Sequence, residues 1–493
     1  MNAACQTTEI ANPSRHSGAS RNPGTFCRSA GRSWTPASAG VTGSMARTSL
    51  RAMLAALVLL LFTTVPTLAV TIERVVSPGG IEAWLVRDEK NPIIAMSWSF
   101  DGGSELDPAD RLGLAYMVSG LLDEGAGDLE SQAFQKLLED NSISLSYSAA
   151  RDGFFGALTT LKDNRAEAFR LARLSMTAPR FDAEAVERIR RQILAGLKRD
   201  QTDPNYIAQL TLMRTLYPDH PYGKPARGTM ETVAAVKRED LSAFVKARFG
   251  RDRLKVAVSG DIDAKELAGV LDQLFGALPA KAEPFQVADV VPAASGQVVA
   301  APKPIPQTIM VLAQRGVKRE DPRWYAASLL NYVLGGGGFN SRLMDEVREK
   351  RGLTYGVGSG LQPYEHSALW TASGSTMNEK AGQALDLIKE IWGRVAAEGI
   401  TAKELEDAKT YLTGSFPLQL TSNGAIAGTL LQVQRDELGI DYLERRNEYL
   451  NRVTLQEVNA LAKELMDPRA IATVVVGQPA GVTPTATVEA GPS

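Results

Sequence analysis

The chain has 493 residues, 44% of them hydrophobic and 22% charged, with a formal net charge of −2. That length suits two or three domains, and that composition an ordinary globular protein rather than a disordered one. Its two cysteines (Cys5, Cys27) and three histidines (His16, His220, His366) include no pair at metal-ligand spacing. A zinc shell built from His and Cys is excluded, and so is a Cys/His thiol protease.

Residues 1–44 are rich in Ser, Gly, Arg and Pro without apolar periodicity, and are expected to be disordered or upstream of the mature product. Residues 45–69 read as a secretory signal peptide, with Met45 a candidate translation start. Arg47 and Arg51 precede the apolar run Ala52–Phe62, and Thr67-Leu68-Ala69 supplies small residues at −3 and −1. The run is too short to span a membrane, and no cysteine follows it to take a lipid. Cleavage after Ala69 would leave a mature chain of 424 residues with no cysteine and hence no disulfide. Six of the 54 basic residues and one of the 56 acidic residues precede residue 70, so the mature chain carries a net −7. An acidic chain without a basic stripe speaks against nucleic acid and anionic membrane as partners. The expected location is outside the cytoplasm, the periplasm in a double-membraned bacterium.

Ile94–Phe100 reads as a strand, followed by Asp107-Pro108 and a helical pattern from Leu112 to Leu122. Ser144–Ala150 alternates as a strand, Val186–Leu197 has helical periodicity, and Leu254–Gly260 is a β-branched run ending in glycine. A segment dense in Pro, Ala, Val and Lys, Pro279–Pro306, divides the mature chain almost evenly. Beyond it the same landmarks return: the strand Thr308–Gln314, Asp321-Pro322, the helix Tyr325–Leu334, and the run Ile471–Gly477. Ala402–Leu412 and Leu455–Leu465 are further helices. A shift of about 215 residues superposes the two series, which predicts an α+β fold of two duplicated domains. Each would be a mostly antiparallel sheet packed with helices, over residues 70–285 and 286–482, with 483–493 a loose tail.

Gly335–Gly338 lacks the Gly-Lys-Ser/Thr of a phosphate loop and reads as a flexible turn that starts a new helix at Asn340 or Ser341. No Gly-x-Ser-x-Gly nucleophile elbow exists.

Gly113-Leu114-Ala115 with Leu121-Leu122-Asp123-Glu124-Gly125 resembles the frame around the inverted zinc motif of the pitrilysin/insulinase metallopeptidases. His220-Pro-Tyr-Gly-Lys-Pro225, Gly228-Thr229 and Val258-Ser-Gly-Asp261 match the same family. Most specific is Leu334-Gly-Gly-Gly-Gly-Phe-Asn-Ser-Arg-Leu343, running into Val347-Arg348-Glu349 and Arg351-Gly-Leu-Thr-Tyr355. The resemblance covers essentially the whole mature chain. It implies a helix bearing His-x-x-Glu-His, two zinc-ligating His and a Glu base, and a third ligand Glu on a later helix.

The departure from that pattern is equally specific. Tyr116, Ser119 and Gly120 stand where the resemblance implies His, Glu and His, and Leu194 stands at the third ligand, seven residues after Glu187. Such residues cannot form a zinc shell, so no cofactor is expected in this chain. The resemblance does carry over an Arg and a Tyr that hold the scissile carbonyl from the second domain, and these fall on Arg348 and Tyr355. A guanidinium and a phenol are suitable donors to a developing oxyanion. The alternative is structural: Arg348 paired with Glu346 or Asp345, and Tyr355 packed in a strand. The family's substrate-pairing edge strand falls on Ser144–Ala150, giving Ser146, Tyr147, Ser148 and Ala149 as peptide-contacting candidates; an ordinary sheet strand is the alternative. Tyr116 alone reads as core or cavity lining, and His220 and His366 as structural or solvated.

The expectation is a non-catalytic, substrate-orienting subunit of an exported heterodimeric zinc metallopeptidase. Its partner would be a homologous subunit carrying the zinc, and its ligand an unfolded peptide. The alternative is a structural or peptide-binding homodimeric scaffold with no part in proteolysis.

Overall fold

The apolar runs of the sequence become the central strands of two six-stranded mixed sheets. The computed structural model describes residues 71–489, so the expected disordered segment (1–44) and signal peptide (45–69) lie outside the described residues. The first half contains β1 (Glu73–Val76), β2 (Glu82–Arg87), β3 (Ile93–Asp101) and helix α1 (Leu114–Ser119). A small hairpin, β4 (Gly125–Ala126) and β5 (Leu129–Glu130), precedes β6 (Ser144–Ala149) and β7 (Gly153–Leu161). Helices α2 (Arg165–Thr177), α3 (Ala183–Asp200) and α4 (Pro204–Leu216) follow, then β8 (Leu254–Gly260) and α5 (Ala264–Phe275). The second half has β9 (Val298–Pro302), β10 (Gln307–Arg315), α6 (Trp324–Asn331), β11 (Gly356–Pro363) and β12 (Ala368–Met377). It continues with α7 (Ala381–Glu398), α8 (Asn423–Arg435), β13 (Ala472–Gly477) and β14 (Ala486–Thr487).

The strand orders are β1-β2-β8-β3-β7-β6 and β11-β12-β10-β13-β9-β14. Read from the parallel pair outward, β2-β8-β3-β7-β6 repeats as β9-β13-β10-β12-β11, with the same directions at every step. The duplication expected from the sequence is therefore present strand by strand. Residues 483–489, expected as a loose tail, instead carry β14, which pairs in parallel with β9. That short tail is held because β9 would otherwise present a bare edge.

Both faces of each sheet are apolar, and this dictates how the halves join. Met310 and Leu312 of β10 face a core with α6 and α7, while Val311 and Ala313 between them face the other way. A strand buried on both faces needs two covering layers. The second layer comes from the opposite half. Helix α4 packs Ile207, Leu212, Met213 and Leu216 on the outer face of the second sheet. Helix α8 packs Leu430, Leu431 and Val433 on Trp84, Val86 and Ala257 of the first. Buried amides fix the second contact: Ser259 Oγ donates to Asn423 Oδ1 at 2.9 Å, and Gln434 Nε2 to the Val256 carbonyl at 2.8 Å. Residues 71–489 accordingly form one compact unit.

Candidate functional site: a metal position without ligands and an arginine beside two aromatic rings

Helix α1 is short and set by its N-terminal neighbour. The Asp107 carboxylate accepts from the backbone N–H groups of Gly113 and Ala115 at 2.9 and 3.0 Å, satisfying donors that the first turn leaves open. At the repeat position in the second half, Asp321 makes a more local contact, accepting from Arg323 N at 2.8 Å just ahead of α6. Burial pushes Asp107 up to about 7 against those hydrogen bonds.

The residues on α1 and α3 do not fit a zinc ion. Tyr116 is partly buried against the core, with the Arg227 guanidinium over its ring at 5.1 Å. Arg227 in turn pairs with Asp200 of α3 at 2.6 Å, so a cation already braces the two helices near this position. Ser119 is buried and donates back to the Tyr116 carbonyl at 2.8 Å, which leaves no base. Gly120 has no side chain, and a Cβ there would meet Ile189 at 3.4 Å. Leu194 packs on the core, and exposed Glu187 pairs with Arg190 at 3.0 Å. Among the described residues no three His, Cys, Asp or Glu side chains cluster as a metal shell. His220 is also spoken for: its Nδ1 accepts from Tyr222 N at 3.2 Å, its Nε2 donates to the Ala288 carbonyl at 3.0 Å, and burial lowers its pKa. His366 meets Asp289 at 3.2 Å in the β11–β12 connection.

Arg348 and Tyr355 lie together on the surface of the second half. Arg348 sits in a π-helical turn, Met344–Glu349, which ends where Gly352 adopts φ +57° and returns its N–H to the Arg348 carbonyl at 2.9 Å. Tyr355 stands one residue before β11 and is 86% exposed. It is therefore not packed in a strand. Nor does Arg348 pair with Glu346 or Asp345: Glu346 bonds Lys350 and Arg351, and the nearest carboxylate to Arg348 is Glu349 at 3.5 Å. The guanidinium instead lies near two rings, Tyr355 at 5.4 Å and Phe339 at 4.6 Å. Phe339, 64% exposed, carries no mark in the sequence, since a lone aromatic in a glycine run has no periodic signal.

The glycine run has a packing reason. Gly335 lies in a π-helical turn, Tyr332–Gly336, laid against β11, and a Cβ there would come within 2.5 Å of Ser359 N. The run is a close approach rather than the flexible turn expected, although the next helix does start at Ser341, whose carbonyl accepts from Asp345 N at 3.0 Å. Val357 N donates to Met344 Sδ at 3.5 Å, so the outer side of β11 is covered.

Its counterpart β6 is treated differently. It is the edge strand of the first sheet and pairs only with β7. Ala150 N bonds the Gly153 carbonyl, so by the alternation of an antiparallel ladder Ser144, Ser146 and Ser148 bond β7, and Leu145, Tyr147 and Ala149 turn their N–H and C=O outward. Ser146 and Ser148 point their side chains to solvent, whereas the Tyr147 ring turns into the core, edge-on to Trp98 with its hydroxyl bonded to Ser175. Burial raises the Tyr147 phenol well above its ordinary value. Only the backbone of Tyr147 faces the edge.

Residues 83–230 match the family described as "Insulinase (Peptidase family M16)", and residues 235–412 match "Peptidase M16 inactive domain". The chain is 28% identical over 386 residues to "Non-peptidase homolog YmxG" of Helicobacter pylori, covering 76% of this chain and 87% of that one. It is 29% identical over 288 residues to "Uncharacterized zinc protease YmxG" of Bacillus subtilis, covering 58% of this chain and 69% of that one. The crystal structure of a peptidase M16 inactive domain from Pseudomonas fluorescens superposes with a TM-score of 0.78 at 29% identity, over 84% of this chain and all of that one. Both halves thus match, and the positions of the zinc motif hold Tyr116, Ser119, Gly120 and Leu194: the chain belongs to the M16 insulinase/pitrilysin metallopeptidase family, as an inactive homologue that lacks its metal ligands.

Proposed function

We propose that the chain is the substrate-orienting subunit of an exported heterodimeric zinc peptidase. A homologous partner with an intact His-x-x-Glu-His supplies zinc and base, and this chain supplies Arg348 and Tyr355 to the carbonyl of an unfolded peptide. One observation carries the reading: Arg348, half-buried, and Tyr355, 86% exposed, are adjacent at the surface of a chain that lacks the family's metal ligands. Tyr355 is too exposed to serve packing, and Arg348 meets only the neighbouring Glu349, at 3.5 Å, with no side-chain hydrogen bond among the described residues. Donors aimed at a developing oxyanion add rate without needing a metal in the same chain. The edge of β6 offers a second contact, in which peptide backbone pairs with Leu145, Tyr147 and Ala149 while Ser146 and Ser148 leave room.

The test is reconstitution. The mature chain is co-expressed with an M16 homologue that has the zinc motif, and zinc content and peptide cleavage are measured for each chain and for the pair. Cleavage by the pair alone, with zinc only in the partner, is expected. Zinc-dependent cleavage by this chain by itself would overturn the reading, and a stable homodimer that binds peptide and ignores the partner would favour the scaffold alternative.

A further inference from the structure

Phe339 is the only large apolar side chain of the turn 335–340, and it faces solvent. Its ring centroid lies 4.6 Å from Arg348 Cζ, and that of Tyr355 lies 5.4 Å from the same atom. No described carboxylate or carbonyl accepts a hydrogen bond from this guanidinium; Glu349, at 3.5 Å, is at the limit of one. Ring faces hold a cation through the π cloud and do not accept along its N–H bonds. A guanidinium gripped this way keeps its in-plane donors available for a planar carbonyl.

Phe339 is also fixed from both sides. The turn before it lies against β11 through Gly335, and Ser341 after it closes the new helix, its Oγ donating to the Gly338 carbonyl at 2.7 Å. The ring is thus carried on a short, anchored arch rather than on a loose loop. The geometry points to Phe339 as a positioning residue: with Tyr355 it clamps Arg348 and holds the donor edge of the guanidinium out for a peptide carbonyl. This inference rests on the reading of Arg348 as a peptide-contacting residue, but the clamp itself does not depend on any partner.

The clamp can be read in the isolated chain with phenylglyoxal, an arginine-selective dicarbonyl, by following modification of Arg348 through peptide mass spectrometry. Phe339→Ala and Phe339→Leu should raise the Arg348 rate by about threefold or more, whereas Phe339→Trp should keep it at or below the parent rate. Leucine retains apolar bulk without a π face, so it separates a cation–π clamp from simple shielding. Equal rates in parent and Phe339→Ala, or protection by Leu as good as by Trp, would overturn the clamp. A faster rate in Phe339→Ala together with an Arg348→Ala pair that still cleaves peptide normally would leave the clamp standing and remove the functional reading.

Discussion

Glu105 is a buried carboxyl that no motif or periodicity in the sequence singles out. It occupies a short turn, is 6% exposed, and neither carboxyl oxygen meets a donor among the described residues. Its neighbour Asp152 already accepts from Tyr222 Oη at 2.5 Å and from Glu365 N at 3.1 Å, tying the two halves together. Burial first, then Asp152 and Glu365, push Glu105 up to about 10, with Arg248 the facing cation. A folded pKa above the unfolded one means that this group's contribution to stability is complete below about pH 4 and is lost as pH rises toward 10. Glu105→Gln keeps the shape and a donor but has no proton to lose. Urea melts should find the variant more stable than the parent by more than about 1 kcal/mol at pH 9, with the gap closing by pH 4. Equal stabilities at pH 9 would refute the assignment. Nothing in the local sequence marks Glu105, because its partners come from three separate segments. Arg348 and Tyr355, by contrast, are singled out by a motif whose spacing runs along the chain, and they do lie side by side. Phe339 beside Arg348, and the inward turn of the Tyr147 ring from the β6 edge, are visible only in the structure.

Among the elements, the informative contrast is between two strands at the same place in the repeat. β11 is covered by the turn containing Gly335 and by Met344, while β6 leaves alternate backbone groups open. An exposed edge invites strand addition, and proteins that do not use one usually cover it. Ala149→Pro removes an outward N–H without touching the ladder to β7, since proline is tolerated at such a position. Binding of an extended peptide, read by fluorescence anisotropy on the assembled pair, should weaken at least about tenfold, with the thermal midpoint nearly unchanged. Unaltered binding would assign the peptide to another surface. Strands and long helices were readable from period and β-branching: Leu254–Gly260 and Leu455–Leu465 carry the predicted limits. The π-helical turns were not, because they arise from where the glycine run must pack rather than from residue pattern.

For the molecule as a whole, duplication is visible in the sequence but exchange is not. Two series of landmarks predict two sheets, yet nothing in the local pattern of α4 or α8 states that each covers the other half's sheet. The apolar faces of Val311 and Ala313, and of Trp84 and Val86, are the reason for that exchange. Fragments 70–285 and 286–489 should each remain unfolded or aggregate alone, and should recover native circular dichroism when co-expressed. Cooperative unfolding by either fragment alone would contradict the interlock. The most direct measurement remains the peptidase rate of the reconstituted pair with Arg348→Ala or Tyr355→Phe in this chain. kcat is expected to fall by about tenfold to a thousandfold while zinc stays in the partner and the pair stays assembled. An unchanged kcat, or zinc-dependent cleavage by this chain alone, would contradict the proposed role.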